Sequence, residues 1–161
     1  MRRITKVSIC LAIVMTLVMN VVPVRANTFR TATKKGLNAR YKIYYNYFED
    51  EYIKIKIKKN GIYKVNVKTD CFGMRTFIYK KNGKDAKVTM VSKRENQGSV
   101  TKDGNFLYFS ESDVTEYCNV TVSLKLKKGT YVIKYTPIMG DYDTSDVVKI
   151  KTSFKKSKRR F

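Results

Sequence analysis

The chain has 161 residues, two prolines, no histidine and no tryptophan, and its 34 Lys+Arg against 13 Asp+Glu give a formal charge of +21. Zero histidines excludes His-based triads, His-ligated zinc or haem, and imidazole acid/base chemistry near neutral pH, so a protein that is not an enzyme is the expectation. A codon bias toward lysine should raise glutamate as well, yet 25 lysines stand beside five glutamates and eight aspartates, so the excess of cations calls for its own explanation.

Arg2, Arg3 and Lys6 precede an uncharged stretch from Val7 to Val24, and Val24-Arg25-Ala26 places small residues three and one before a cleavage point. This pattern predicts a signal peptide over residues 1–26, hence a secreted or cell-envelope protein. Cys10 lies too near the start for a lipoprotein box, and Asn20 and Pro23 spoil a membrane helix, so no membrane span is expected in the mature chain. Cleavage would remove four cations and no acid, leaving a mature charge of +17 and the pair Cys71 and Cys118. In an exported chain that pair is a candidate disulfide; two small buried thiols is the other reading.

Residues 27–40 read as an N-terminal extension and residues 41–154 as one β-domain. In the first candidate strand, Tyr41 to Phe48, Tyr41, Tyr44, Tyr45 and Tyr47 surround Lys42 and form a candidate aromatic contact strip, because a ring with a polar tip suits a wet interface. From Glu51 to Lys59 apolar residues alternate with lysines at period two, and after Asn60-Gly61 the alternation resumes through Tyr63, Val65 and Val67. The pattern predicts a hairpin with Gly61 in the left-handed region, Ile57 beside Tyr63, Ile55 beside Val65, Ile53 beside Val67, and Lys56 opposite Lys64. Arg75 to Lys80, Ala86 to Ser92 and Asn105 to Ser110 are weaker strand candidates, with a polar loop from Gly98 to Gly104. Cys118, Val120, Val122, Leu124 and Leu126 alternate with polar residues up to Lys128-Gly129, which predicts a second hairpin into Tyr131, Ile133 and Tyr135. Asp141, Asp143 and Asp146 follow Gly140 and offer oxygen ligands that calcium accepts, without the EF-hand spacing; no other cofactor is expected. Asp146 to Phe154 closes the strand series. The last seven residues, with Lys155, Lys156, Lys158, Arg159 and Arg160, have no periodicity and predict a disordered basic tail. About eight short strands and no sustained helical period predict an all-β sandwich or barrel, and a single antiparallel β-sandwich is the expected fold.

The run Glu49-Asp50-Glu51-Tyr52 into Ile53-Lys54-Ile55-Lys56-Ile57, then Asn60-Gly61 and Tyr63 to Val67, resembles the opening of a bacterial pre-peptidase C-terminal domain. Arg75 to Lys84 is similar to that family's next strand and Asn-Gly turn, and Leu124 to Tyr135, with Gly129-Thr130-Tyr131, to its closing hairpin. The resemblance covers about residues 49–136. It implies a jelly-roll-like sandwich, a non-catalytic appendage that sometimes binds collagen or polysaccharide. The chain shows no peptidase to append to, and Arg75 stands where the family often has an acid.

Lys54, Lys56, Lys58 and Lys64, then Lys125, Lys127 and Lys134, and finally Lys149 and Lys151 all alternate with apolar partners and should point to solvent. Gathered on one sheet face, they would attract an anionic or extended polymer such as wall teichoic acid, glycosaminoglycan, extracellular DNA or collagen; scattered, they are a solvated, edge-protecting surface. The expected protein is a monomeric binding module. The alternative is a secreted inhibitor or antagonist, bacteriocin-like or directed at a peptidase, acting through an exposed loop between Ser92 and Gly104.

Overall fold

The computed structural model describes residues 28–44, 50–69, 73–112, 117–138 and 147–157. They form eleven strands: β1 (Thr33–Lys34), β2 (Ala39–Tyr44), β3 (Glu51–Ile57), β4 (Gly61–Thr69), β5 (Gly73–Lys80), β6 (Thr89–Gln97), β7 (Ser99–Asp103), β8 (Phe106–Ser110), β9 (Cys118–Leu126), β10 (Gly129–Ile138) and β11 (Val147–Lys156). Two sheets result, one of six strands in the order β1-β3-β10-β5-β8-β7 and one of five in the order β2-β11-β4-β9-β6. All the pairings are antiparallel except β1 with β3. The fold is a β-sandwich, as expected. Successive strands switch sheets at every step except β7 to β8, which gives the jelly-roll-like winding.

Both predicted hairpins are absent. Strand β3 pairs with β10 and β1, whereas β4 pairs with β9 and β11, so the three residues Lys58, Lys59 and Asn60 arch from one sheet to the other. Strands β9 and β10 likewise lie in opposite sheets. The apolar alternation is real, because Ile53, Ile55 and Ile57 are each 1% exposed and Tyr63, Val65 and Val67 are also buried. They meet across the core rather than along a ladder: period two says which side of a strand is apolar, not which neighbour takes its hydrogen bonds. Lys56 consequently faces Thr130, and Lys64 stands between Ser153 and Ser123.

Gly61 does not take the left-handed conformation, which among the described glycines is found at Gly83, Gly98 and Gly104. A Cβ at Gly61 would instead stand 2.4 Å from Phe154 Cζ and 2.5 Å from the Lys155 carbonyl oxygen, so glycine is required for the close approach of β4 to β11. The expected polar loop from Gly98 to Gly104 contains β7, and Ser92 to Gln97 belongs to β6, so no projecting loop exists between Ser92 and Gly104. At the two ends of the domain, β1 and the start of β2 use residues of the expected extension, and β11 runs on through Lys155 and Lys156.

A core of Ile, Val, Leu, Phe and Tyr side chains fills the space between the sheets. Inside it the Tyr41 and Tyr135 hydroxyls share a 2.9 Å hydrogen bond. The Tyr63 hydroxyl lies near Tyr41 and Thr152 without a formed hydrogen bond. Burial raises the pKa of Tyr41 and Tyr135 well above the ordinary tyrosine value and pushes Tyr63 up to about 12.

Candidate anion-binding face

Strand alternation puts one set of side chains on the outside of each sheet, and the two outsides differ. On the five-stranded sheet, Lys149 of β11 lies opposite Lys42 of β2 on one side and Lys68 of β4 on the other. One step along, Lys151 lies opposite Arg40 and Asn66. Adjacent strands are about 4.8 Å apart and next-but-one residues on a strand about 7 Å, so these five cations occupy a patch of roughly 10 by 7 Å at the backbone level. They line a shallow groove of about 410 Å³, with Asn66, Tyr41 and Ile150 completing the wall. Aliphatic lysine stems cover the groove while the ammonium groups stay in water.

The same outer face continues with Lys64 opposite Ser153, Lys155 and Lys125 on either side of Ile62, and Arg94 opposite Thr121. Asn66 Nδ2 donates to Asn119 Oδ1 at 3.1 Å and to Thr121 Oγ1 at 3.0 Å, bracing β4 against β9 with neutral groups. Among the described residues no carboxylate falls in these outward registers. Glu95 of β6 stands in register with buried Val120; it takes Lys93 at 2.9 Å and the Val100 N–H at 2.7 Å. Both contacts hold its pKa below the ordinary glutamate value.

The six-stranded sheet has an aromatic exterior. Tyr52, Phe77 and Phe106 fall in one cross-strand row with Lys134, and Arg75 and Tyr108 in the next. Phe77 and Phe106 lie 4.9 Å apart, and Lys134 Nζ stands 5.6 Å from the Phe77 ring centroid. Phe29 meets Tyr52 and Tyr79 edge-on at 6.4 and 5.8 Å, over a strand whose outward Val132 is only 1% exposed. Lys134 also donates to Asp50 at 2.8 Å. Partial burial lowers its pKa and the Asp50 carboxylate more than reverses this, for a net rise.

The lysines singled out from the sequence therefore divide three ways. Lys64, Lys125, Lys149 and Lys151 share the cationic face, Lys54, Lys56 and Lys134 belong to the other sheet, and Lys58 and Lys127 lie in the arches at one end. Arg40, Lys42, Lys68, Arg94 and Lys155 join the face without having been singled out for it; the alternation Arg40-Tyr41-Lys42-Ile43 carries the signal for the first two. Of the aromatic strip, Tyr41 is buried with its hydroxyl bonded to Tyr135, while Tyr44 is 62% exposed; Tyr45 and Tyr47 lie outside the described residues. Cys118 is buried opposite Thr69, and Cys71 lies outside the described residues, as do Asp141, Asp143 and Asp146, residues 1–26, Lys158, Arg159 and Arg160. No group of three or more Cys, Asp or Glu placed to hold a metal occurs among the described residues, and no described helix is long and apolar enough to cross a membrane.

No family model matches the sequence, and no curated protein matches it. Among solved structures, the chain is similar to the pre-peptidase C-terminal domain of a collagenase from Bacillus anthracis, at 15% identity and a TM-score of 0.44, over 77% of this chain and 94% of that one. It is also similar to CorA, a surface-associated copper-binding protein of Methylomicrobium album BG8, at 10% identity and a TM-score of 0.43, over 76% of this chain and 98% of that one. The collagenase domain belongs to the family that residues 49–136 resemble.

Proposed function

We propose that the protein is an exported, non-catalytic binding module that holds an anionic polymer on the outer face of its five-stranded sheet. The observation that carries this reading is the row Lys42–Lys149–Lys68 beside Arg40 and Lys151, with no carboxylate in the outward registers of that sheet among the described residues. Like charges directly opposite one another destabilise a sheet by about 0.2–1 kcal/mol per pair, and Lys149 makes two such pairs. A bound polyanion turns that repulsion into attraction.

The chemistry of the face narrows the ligand. Lysine ammonium groups are point charges without the planar fork of arginine, so they hold phosphate or sulfate groups by charge rather than by shape. Among the described residues, the aromatic rings lie on the opposite sheet or in the core, apart from Tyr44 at the margin of the face and Tyr117 just before β9. Stacking on bases or sugars is therefore not the main contact here. Teichoic acid, sulfated glycosaminoglycan and the DNA backbone fit this chemistry; collagen, which is not a polyanion, fits it least. No observation favours the alternative of an inhibitory loop, since β6 and β7 occupy Ser92 to Gly104.

Chromatography on immobilised heparin and on purified cell walls tests the reading. The expected result is retention at low salt and release by sodium chloride, because counterion release makes such binding steeply salt-dependent. No retention at low salt, or elution indifferent to salt, would overturn it.

A further inference from the structure

Three turns of like composition, Lys58-Lys59-Asn60-Gly61, Lys80-Lys81-Asn82-Gly83 and Lys127-Lys128-Gly129, start 22 and 47 residues apart in the sequence. The strand crossings bring all three to one end of the sandwich. Gly129 lies opposite Ile57 and Gly61 opposite Leu126, so the first and third turns are neighbours. Tyr131 opposite Lys80 sets the second beside the third.

Hydrogen bonds tie the group together. The Lys128 N–H donates to Asn60 Oδ1 at 2.7 Å, the Ser157 N–H to the Asn60 carbonyl at 2.9 Å, and the Lys81 N–H to the Thr130 carbonyl at 3.1 Å. These bonds use backbone donors, which leaves the lysine side chains in solvent, and all six are exposed. Lys80, Lys81 and Lys128 border one concavity of about 610 Å³ with Asn82 and Tyr131. None of the six enters an ion pair with a described carboxylate. Lys156, at the end of β11, joins them: the Lys59 ammonium beside it lowers its pKa. Ammonium groups held together without a counter-charge among the described residues are what a multiply charged anion would neutralise.

This end is continuous with the cationic face. Strand β11 leads from Lys149 in the groove through Lys151 and Lys155 to Lys156, a span of about 24 Å at the strand rise. We propose that the three turns form a second anion-binding site, and that one linear polyanion lying along β11 occupies both this site and the face. The inference rests on the reading of the face as a polyanion site and adds a property to it. A chain longer than the span engages both sites at once and gains avidity, whereas a shorter one binds each site separately.

Heparin oligosaccharides fractionated to extended lengths of about 15 Å and about 30 Å, on either side of the span, are the probe. Titration calorimetry should show two short chains per wild-type protein, and long chains at one per protein with at least about tenfold higher affinity after correction for overlapping sites. In the variant Lys59→Gln/Lys81→Gln/Lys128→Gln, whose backbone bonds are kept, one short chain should bind and the advantage of the long one should vanish. A single short-chain site in the wild type, or a length preference that survives in the variant, overturns this inference and leaves the face intact. Failure of every fraction to bind the wild type at low salt removes the reading of the face as well.

Discussion

Tyr63 is fully buried, and its hydroxyl has no formed hydrogen bond, although Tyr41, Tyr135 and Thr152 surround it. Removing an unsatisfied hydroxyl forfeits no protein hydrogen bond, so Tyr63→Phe should leave stability at pH 7 within about 0.5 kcal/mol of wild type or raise it. Tyr135→Phe should cost about 1 kcal/mol, because it strips the Tyr41 hydroxyl of its partner; urea denaturation of both variants separates the two cases. The same side chain sets an alkaline limit. An unfolded tyrosine ionises near 10 and Tyr63 keeps its proton to about 12, so between those values the folded state holds more protons than the unfolded one. Its contribution is intact below pH 10 and falls as pH rises from 10 to 12. Tyr63→Phe should therefore flatten the alkaline decline in stability by up to about 1.4 kcal/mol per pH unit, leaving the part due to Tyr41 and Tyr135. An unchanged decline would show that Tyr63 has the same proton affinity folded and unfolded.

Among the elements, β11 concentrates the electrostatic tension, since Lys149 lies between Lys42 and Lys68. Lys149→Gln should raise thermal stability at low salt by an amount equivalent to about 0.2–1 kcal/mol, and added salt should shrink the gain. A destabilised Lys149→Gln would mean that the row is already neutralised by groups of the protein. Gly61→Ala at the arch between β3 and β4 should destabilise by about 1–3 kcal/mol in urea melts, because its Cβ would press on Phe154 and the Lys155 carbonyl. This arch is also where sequence reading reached its limit. Alternation in Glu51 to Val67 and in Cys118 to Tyr135 identified the strands and their buried sides correctly. It assigned them to hairpins because short connections usually join paired strands. Whether a three-residue connection closes a ladder or crosses the core depends on which distant strand completes each sheet, and β10 and β11 come late in the chain. The candidate Ala86 to Ser92 catches only the start of β6, and β7 reads as a loop: every residue of β6 except half-buried Met90 is exposed, so no apolar period marks its course toward β7.

For the whole molecule, the consequence of crossing rather than pairing is that lysines close in sequence part company. Lys54 and Lys56 go to the aromatic sheet, and Lys64 goes to the cationic one with Lys149 and Lys151 from the far end of the chain. The sequence revealed which side chains face outward, but which of them share a face depended on strand order. Arg40, Lys42 and Lys68 also alternate with apolar residues, and the first two are missed because residue 40 reads as part of an extension and Tyr41 to Phe48 as an aromatic strip. The row of Tyr52, Phe77 and Phe106 escaped for the same reason, since each ring sits on a different strand and only the register aligns them. The result is a sandwich whose two exteriors differ in chemistry, one charged and one aromatic. The most direct test of that division is the slope of log affinity against log salt for heparin, measured for wild type and two charge-matched variants. Arg40→Gln/Lys149→Gln/Lys151→Gln removes cations from the face, and Lys54→Gln/Lys56→Gln/Arg75→Gln removes as many from the other sheet. The account predicts that the first variant weakens binding and makes the slope shallower by about 2–3, while the second stays close to wild type. Equal losses in the two variants would contradict it, because attraction would then follow net charge and not the face.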